Sequence, residues 1–395
     1  MTELVYPRER SLGAITLVLG LLVWLLLIFG TFGVALVFMG IGFILYLFAQ
    51  SALIAHIKGN GVELSQAQMP DLYAQFRDCC ARLGIDHPPQ AYILNGNGGL
   101  NAFATKFLGA QFVVLMSDVV DAMGKHVDGV RFYLGHELGH LRMNHLTGQL
   151  LRWPVLWLPL LGAAYSRARE STCDRHGLAC CSSGEGAARA LAALSSGSER
   201  WQQIDIAAYR KQTEKSSGFW MSFHELIGGY PWLTKRAARV MSPDAAMPRR
   251  NPFAYLFAVF VPFAGRLGGG FGLLILVYVV GVMAAIAIPA YQDYVVRAKV
   301  AAAVTQTEGI RESLGAYYEN NEEIPESLEA MGLPTALTDG SELLLDPESM
   351  VLTVVLDNGE LVFDPSVDRD GHIVWVCVNG DGLKPAHMPA VCRQQ

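Results

Sequence analysis

The chain has 395 residues, a net charge of −6 and a hydrophobic share of 52%. That length holds two or three domains, and the apolar excess is more than a wholly water-soluble chain carries. No dense basic patch with interleaved aromatic residues occurs, which argues against nucleic acid as a partner. The charge is also divided: residues 301–395 carry 17 acidic and 4 basic side chains, and residues 1–300 carry 19 acidic and 26 basic. A boundary is expected near residue 295.

From Ser11 to Ala55 there is no Asp, Glu, Lys or Arg. That run is about twice the length of one membrane span, and Gly30-Thr31-Phe32-Gly33 divides it. The reading is a transmembrane helical hairpin of about 12–29 and 33–55, within a first domain of residues 1–55; the apolar core of a cleaved signal peptide would be far shorter. Arg8 and Arg10 before the first span favour a cytoplasmic N-terminus, and a hairpin returns the chain to the same side. Residues 56–250 are then cytoplasmic, which agrees with Lys235, Arg236, Arg239, Arg249 and Arg250 ahead of the next apolar region.

Residues 56–250 read as one mixed α+β domain. Asp71 to Leu83 has helical spacing, Gln90–Leu94 and Gln111–Leu115 read as strands, and Asn95–Gly99 is a loop. A helix over Val127–Leu146 carries His136-Glu137-Leu138-Gly139-His140. Histidines four apart share a helix face, so both imidazoles can grip one Zn²⁺. The glutamate between them stands where a general base for the attacking water is needed. A catalytic zinc site takes three protein ligands. Glu170 is the best third candidate and His145 a weaker one, on the surface or behind the ligands. Asp174, four residues after Glu170, can accept a hydrogen bond from the far nitrogen of a ligand histidine. Trp153–Tyr165 is apolar, but His140 and Glu170 must meet at one metal, and the segment is too short to cross twice. It is read as a membrane-facing helix near the active-site entrance.

Asn251–Gly265 is apolar but has roughly three-quarters of a span's length, so it is read as interfacial. A second charge-free run, Leu267 to Gln292, is long enough to cross. The divisions are therefore 56–250, 251–292 and 293–395. In the last, Glu360–Phe363 and His372–Cys377 read as strands.

Residues 1–250 resemble the HtpX/CAAX-prenyl endopeptidase family of integral membrane zinc metalloproteases. The likeness rests on the hairpin, on Leu100-Asn101-Ala102-Phe103-Ala104, on His136 to His140, on Glu170 with Asp174, and on Tyr230-Pro231-Trp232-Leu233-Thr234-Lys235-Arg236. It implies a mainly helical zincin domain of gluzincin type, with one zinc held by His136, His140 and Glu170, Glu137 as base, and Asn101 near the substrate cleft. The family has histidine before that proline, thought to help hold the oxyanion; here Tyr230 stands there, and a phenol also donates a hydrogen bond. His224 is a less favoured stand-in. The implied activity is membrane-bound zinc endopeptidase, acting on membrane or misfolded polypeptides.

Gly281 to Val300 resembles the N-terminal helix of type IV pilins. That implies a long helix, about 271–320, continuing into a small antiparallel sheet, with Cys377 and Cys392 closing a disulfide loop. A disulfide implies an oxidising compartment, and the five remaining cysteines belong to the cytoplasmic part and are expected reduced. Gly270-Phe271 resembles a prepilin junction, but Gly272–Val282 lacks the glutamate that supports pilin assembly. A fused sensing, anchoring or substrate-recruiting domain is the expectation, with pilus components as possible partners. Together the resemblances imply a multi-pass bacterial inner-membrane protein with its C-terminal domain in the periplasm. The alternative is a pilus-associated structural or assembly protein that uses the peptidase fold as a scaffold.

Overall fold

The computed structural model describes residues 4–147, 149–244, 246–265, 268–369 and 371–393, apart from the side chains at 127, 268, 269 and 393. Arg266 and Leu267, at the start of the second charge-free run, lie outside the described residues. The chain divides into two compact units, Met1–Tyr278 and Val279–Gln395.

The first unit opens with two long apolar helices, α1 (Pro7–Gly30) and α2 (Val34–Asn60). Both are long and apolar enough to cross a membrane, and most of their side chains face outward. Pro7 starts α1 where its missing N–H costs nothing. The reversal between the helices uses Gly33 in the left-handed region at φ +82. There the Thr31 hydroxyl donates to Leu27 O at 2.6 Å and accepts from Ala35 N at 3.1 Å.

A four-stranded sheet follows: β1 (Val62–Glu63), β2 (Gln90–Leu94), β3 (Ala102–Phe107) and β4 (Ala110–Met116). Its order is β1-β2-β4-β3, with β2 parallel to β4 and the other pairings antiparallel. β3 is therefore an edge strand. The expected strands correspond to β2 and β4. β3 begins at Ala102, directly after Asn101, and so holds Ala102-Phe103-Ala104 of the segment that the family resemblance singled out.

Helices α3 (Pro70–Arg82), α4 (Ser117–Met123), α5 (Val127–Arg142), α6 (Trp153–Leu156), α7 (Leu161–Cys180) and α8 (Gly184–Arg200) build the core around and below the sheet. Leu72, Phe76, Val113, Leu115, Leu134 and Leu138 lie at its centre. The Trp153–Tyr165 stretch is not one helix. It breaks after the four residues of α6, passes Pro159 and enters α7. Trp153 and Trp157 are left 64% and 56% exposed, as an apolar ledge.

α5 and α7 cross closely because glycines stand at the contact. A Cβ on Gly135 would lie 2.7 Å from Cys180 Sγ and 2.9 Å from Gly177 Cα. One on Gly139 would lie 2.9 Å from His176 Cβ, and one on Gly177 2.8 Å from Phe132 O.

Four short helices complete this unit: α9 (Ile206–Lys211), α10 (Phe219–Ile227), α11 (Leu233–Met241) and α12 (Pro252–Ala258). α12 packs Ala254 and Ala258 against Phe223, Leu226 and Ile227 of α10. It leaves Phe253, Leu256 and Phe257 exposed.

α13 (Gly268–Gln306) is the third helix long and apolar enough to cross a membrane. α14 (Glu308–Asn321) continues its course after a break at Thr307. There the buried hydroxyl bonds back to Ala303 O at 2.7 Å, in the manner that bends helices. The second unit is completed by a meander: β5 (Glu342–Leu345), β6 (Leu352–Leu356), β7 (Gly359–Val367) and β8 (Ile373–Asn379). Its core joins Val300, Ile310 and Leu314 to Val354, Leu361 and Phe363. Cys377 on β8 is disulfide-bonded to Cys392, and Cys79, Cys80, Cys173, Cys180 and Cys181 are free and buried.

Two outcomes are expected. Gly135→Ala should lower stability by about 1–3 kcal/mol, because the contact is closed by backbone and cannot relax; thermal unfolding in detergent reads this. Replacing Cys377 and Cys392 with Ser opens a loop of separation 15. That should destabilise the C-terminal unit by about 3 kcal/mol, seen as faster hydrogen exchange along β7 and β8.

Candidate metal centre

α5 presents His136, Glu137 and His140, all buried, toward α7. The close crossing brings Glu170 between the two imidazoles: His136 Nε2 lies 3.3 Å from Glu170 Oε2, and His140 Nε2 lies 3.6 Å from Glu170 Oε1. The rings are 5.1 Å apart and steeply inclined at 74°.

These spacings can be tested against a metal. Ligand bonds of 2.0–2.2 Å arranged tetrahedrally put ligand atoms about 3.4 Å apart. The two Nε2 atoms and the Glu170 oxygens meet that separation, so the residues present fit a divalent ion. Cys173 Sγ also lies within 4.8 Å of ligand atoms of both histidines. It sits 3.6 Å from His145 Nδ1, however, on the far side of the His140 ring, whereas Glu170 faces both Nε2 atoms. Glu170 is the better third ligand.

The far nitrogens are held as well. His136 Nδ1 is 3.1 Å from Asp174 Oδ1. Arg236 of α11 clamps the same carboxylate, donating from Nε at 2.9 Å and from Nη2 at 2.7 Å. His140 Nδ1 is 3.1 Å from His145 Nδ1, and His145 Nε2 is 2.7 Å from Glu9 Oε1 on α1. His145 is thus buried behind a ligand and is not a surface residue. Arg236 is buried too, and so is Lys235, which meets Glu225 at 2.7 Å. Neither serves as the flanking positive charge expected from the sequence. Glu9 and the paired role of Arg236 were not foreseen; the one available signal was an acidic residue between Arg8 and Arg10 at the mouth of an apolar helix.

The electrostatics follow from this packing. Burial opposes charge on His136, yet Asp174 and Glu170 push its pKa up to about 10. Burial drives His140 well below its ordinary value. Glu170 is held well below the usual carboxylate range: burial alone would raise it, but His136, His140 and Arg236 outweigh that. A buried carboxylate kept ionised between two imidazoles becomes the donor set a dication needs once the ion displaces the proton held on His136.

A cavity of about 200 Å³ opens on this group, lined by His136, Glu137, His140, Glu170, Asn101 and Tyr230. Asn101 precedes β3; its side-chain oxygen accepts from Ala102 N at 2.9 Å. Tyr230 is 48% exposed and also lines a larger cavity of about 920 Å³. That cavity runs from His140 and Glu170 past Thr105 and Trp157 to Tyr46 and Gln50 of α2. The loop bearing Tyr230 is pinned from α7: Arg167 Nη1 donates to the carbonyls of Glu225, Leu226 and Gly228 at 2.5, 3.0 and 2.6 Å. His224 instead stacks on Trp220 and, among the described residues, lines neither cavity.

Comparison with known proteins gives two family matches: Peptidase family M48 over residues 66–161, and Pilin (bacterial filament) over residues 296–393. Among curated relatives, a fimbrial protein of Neisseria meningitidis serogroup B is 41% identical over 152 residues, spanning 31% of this chain and 89% of the relative. A type IV major pilin protein PilE1 of Neisseria gonorrhoeae is 26% identical over 147 residues, with the same coverage of 31% and 89%. A fimbrial protein of Moraxella nonliquefaciens is 44% identical over 48 residues, 12% of this chain and 31% of the relative.

Asp174→Asn keeps the shape but removes the charge that orients His136 and holds Arg236. It should weaken divalent-metal affinity about 10–100-fold, measured by competition with a chelator of known affinity.

Proposed function

We propose, for a chain that belongs to the pilin family through its C-terminal third and joins that domain to a metallopeptidase domain of family M48, that it is a membrane-bound zinc endopeptidase cleaving membrane or misfolded polypeptides. The observation that carries this is the convergence of His136 and His140 Nε2 on Glu170, at 3.3 and 3.6 Å, beside an edge strand.

His136, His140 and Glu170 would hold the zinc. When bound, it supplies a nucleophilic water at neutral pH and a Lewis acid for the scissile carbonyl. Glu137, in the same cavity, takes the proton of the attacking water and passes it to the leaving amine. Tyr230 donates a hydrogen bond to the oxygen on which negative charge develops. Asp174 fixes the ring of His136, with Arg236 fixing Asp174. β3, which follows Asn101, is an edge strand among the described residues, so an extended peptide can pair with it and cross the metal centre. The larger cavity connects the same centre to side chains of α2, so a peptide reaching it from the bilayer stays in contact with apolar surface. This supports membrane proteins as substrates.

The proposed placement is the bacterial inner membrane. Arg8 and Arg10 favour a cytoplasmic start and a cytoplasmic peptidase domain. The Cys377–Cys392 disulfide favours an oxidising compartment for the C-terminal domain, hence the periplasm. The pilin domain also favours a second reading, in which the protein assists pilus assembly and the peptidase fold is a scaffold. Under that reading, Glu137→Gln would leave co-purification with pilus components and pilus output unchanged, and no substrate would be cleaved.

For the detergent-purified full chain, cleavage of an unfolded protein is expected to fall about 10²–10⁴-fold in Glu137→Gln, with zinc content unchanged by elemental analysis. Chelation should abolish cleavage by the wild type and added zinc should restore it. Equal activity in wild type and Glu137→Gln would remove Glu137 from the chemistry.

A further inference from the structure

On the other side of Asp174 from His136 lies a third cavity, of about 510 Å³, walled by the start of α1, by α7 and by α11 with the segment that follows it. Its lining includes Arg8, Arg175, Arg239 and Arg249, together with Lys235 and Arg250. The last two are engaged, since both meet Glu225, at 2.7 and 2.9 Å. The one carboxylate in the lining, Asp174, is clamped by Arg236. Arg175 and Arg239 flank the Tyr6 ring, 5.3 and 5.8 Å from its centroid. Among the described residues, Arg8, Arg175, Arg239 and Arg249 meet no carboxylate. Four guanidinium groups around one concave space create a positive field that low-dielectric walls concentrate. Guanidinium is also the group whose planar fork matches phosphate oxygens two at a time.

The cavity also has a depth in the membrane. Arg8 lies in the first turn of α1, a helix apolar enough to span. Arg249 and Arg250 directly precede α12, whose Phe253, Leu256 and Phe257 are exposed. On both walls the chain passes from charge into a helix with exposed apolar side chains, as at a membrane–water boundary. We propose that this cavity binds the phosphate of an anionic phospholipid headgroup, with the acyl chains lying along α1 and α12. Basic pockets at membrane helix ends on the cytoplasmic side bind such headgroups through this chemistry. A soluble phosphate would use the same guanidiniums, but it would leave the neighbouring apolar rim without a role.

The test uses the full chain in neutral detergent, with lipid retention read by native mass spectrometry. Dioleoyl phosphatidylglycerol should be retained in preference to dioleoyl phosphatidylcholine. Arg8→Gln combined with Arg249→Gln, both exposed and outside the metal centre, should weaken that retention on the order of tenfold, with unfolding temperature and metal content unchanged. If the double variant folds poorly, Arg249→Glu alone serves, with the same direction of effect. Equal retention of the two lipids, or retention of phosphatidylglycerol that ignores the arginine substitutions, overturns the proposal. A parallel arm offers inorganic phosphate. Arginine-dependent phosphate binding without a phosphatidylglycerol preference would assign the cavity to a free anion and overturn the lipid source.

Discussion

The site depends on how closely α5 and α7 approach. The zinc-type motif on α5 is a local pattern, but its third partner and its supporting carboxylate lie on α7, and both act over hydrogen-bond distances. Gly135, Gly139 and Gly177 let backbone meet backbone at the crossing. A Cβ at any of these positions would press on the facing helix, which also carries either Glu170 or the two imidazoles. Glycine is unfavourable inside a helix by about 1 kcal/mol relative to alanine, and here that cost secures the approach of two helices.

Around this crossing the protein buries an unusual amount of charge. Asp174 with Arg236, and Glu225 with Lys235 and Arg250, are held in the interior. Buried pairs are poor sources of stability, because desolvation offsets most of the attraction. Their value is directional. Arg236 leaves Asp174 one orientation, Asp174 leaves His136 one tautomer and ring angle, and Arg167 holds the backbone just ahead of Tyr230 by the carbonyls of Glu225, Leu226 and Gly228. Each charge is placed so that a side chain in the cavity has few other arrangements.

The parts of this architecture that were legible in the sequence are those with short-range patterns. His136 and His140 are one helical turn apart, so their meeting follows from α-helical geometry. Glu170 and Asp174 obey the same spacing on α7. The apolar hairpin is visible because a membrane demands uninterrupted length. What was not legible is pairing across long separations. Glu9 and His145 are 136 residues apart and nothing local links them. Arg236 and Lys235 looked like charges facing a membrane surface, because a basic pair before an apolar stretch has that composition whether it is solvated or buried. β5 and β6 were missed because they are short and their apolar residues run consecutively, as in Leu343-Leu344-Leu345 and Val354-Val355-Leu356, and do not alternate with polar ones. The single helix expected over Trp153–Tyr165 fails at Pro159 and Leu160, where the backbone turns into the left-handed region at φ +62.

The link from Glu9 through His145 to His140 has a consequence for biogenesis. Glu9 precedes the side chain it meets by 136 residues, and it stands at the base of a helix long and apolar enough to cross a membrane. Until α1 is seated, His145 lacks the carboxylate behind it, and the ring of His140 lacks a fixed partner. The backing of His140 is therefore complete only once α1 has docked. Such an arrangement couples the order of the histidine cluster to the docking of an apolar helix made far earlier in the chain.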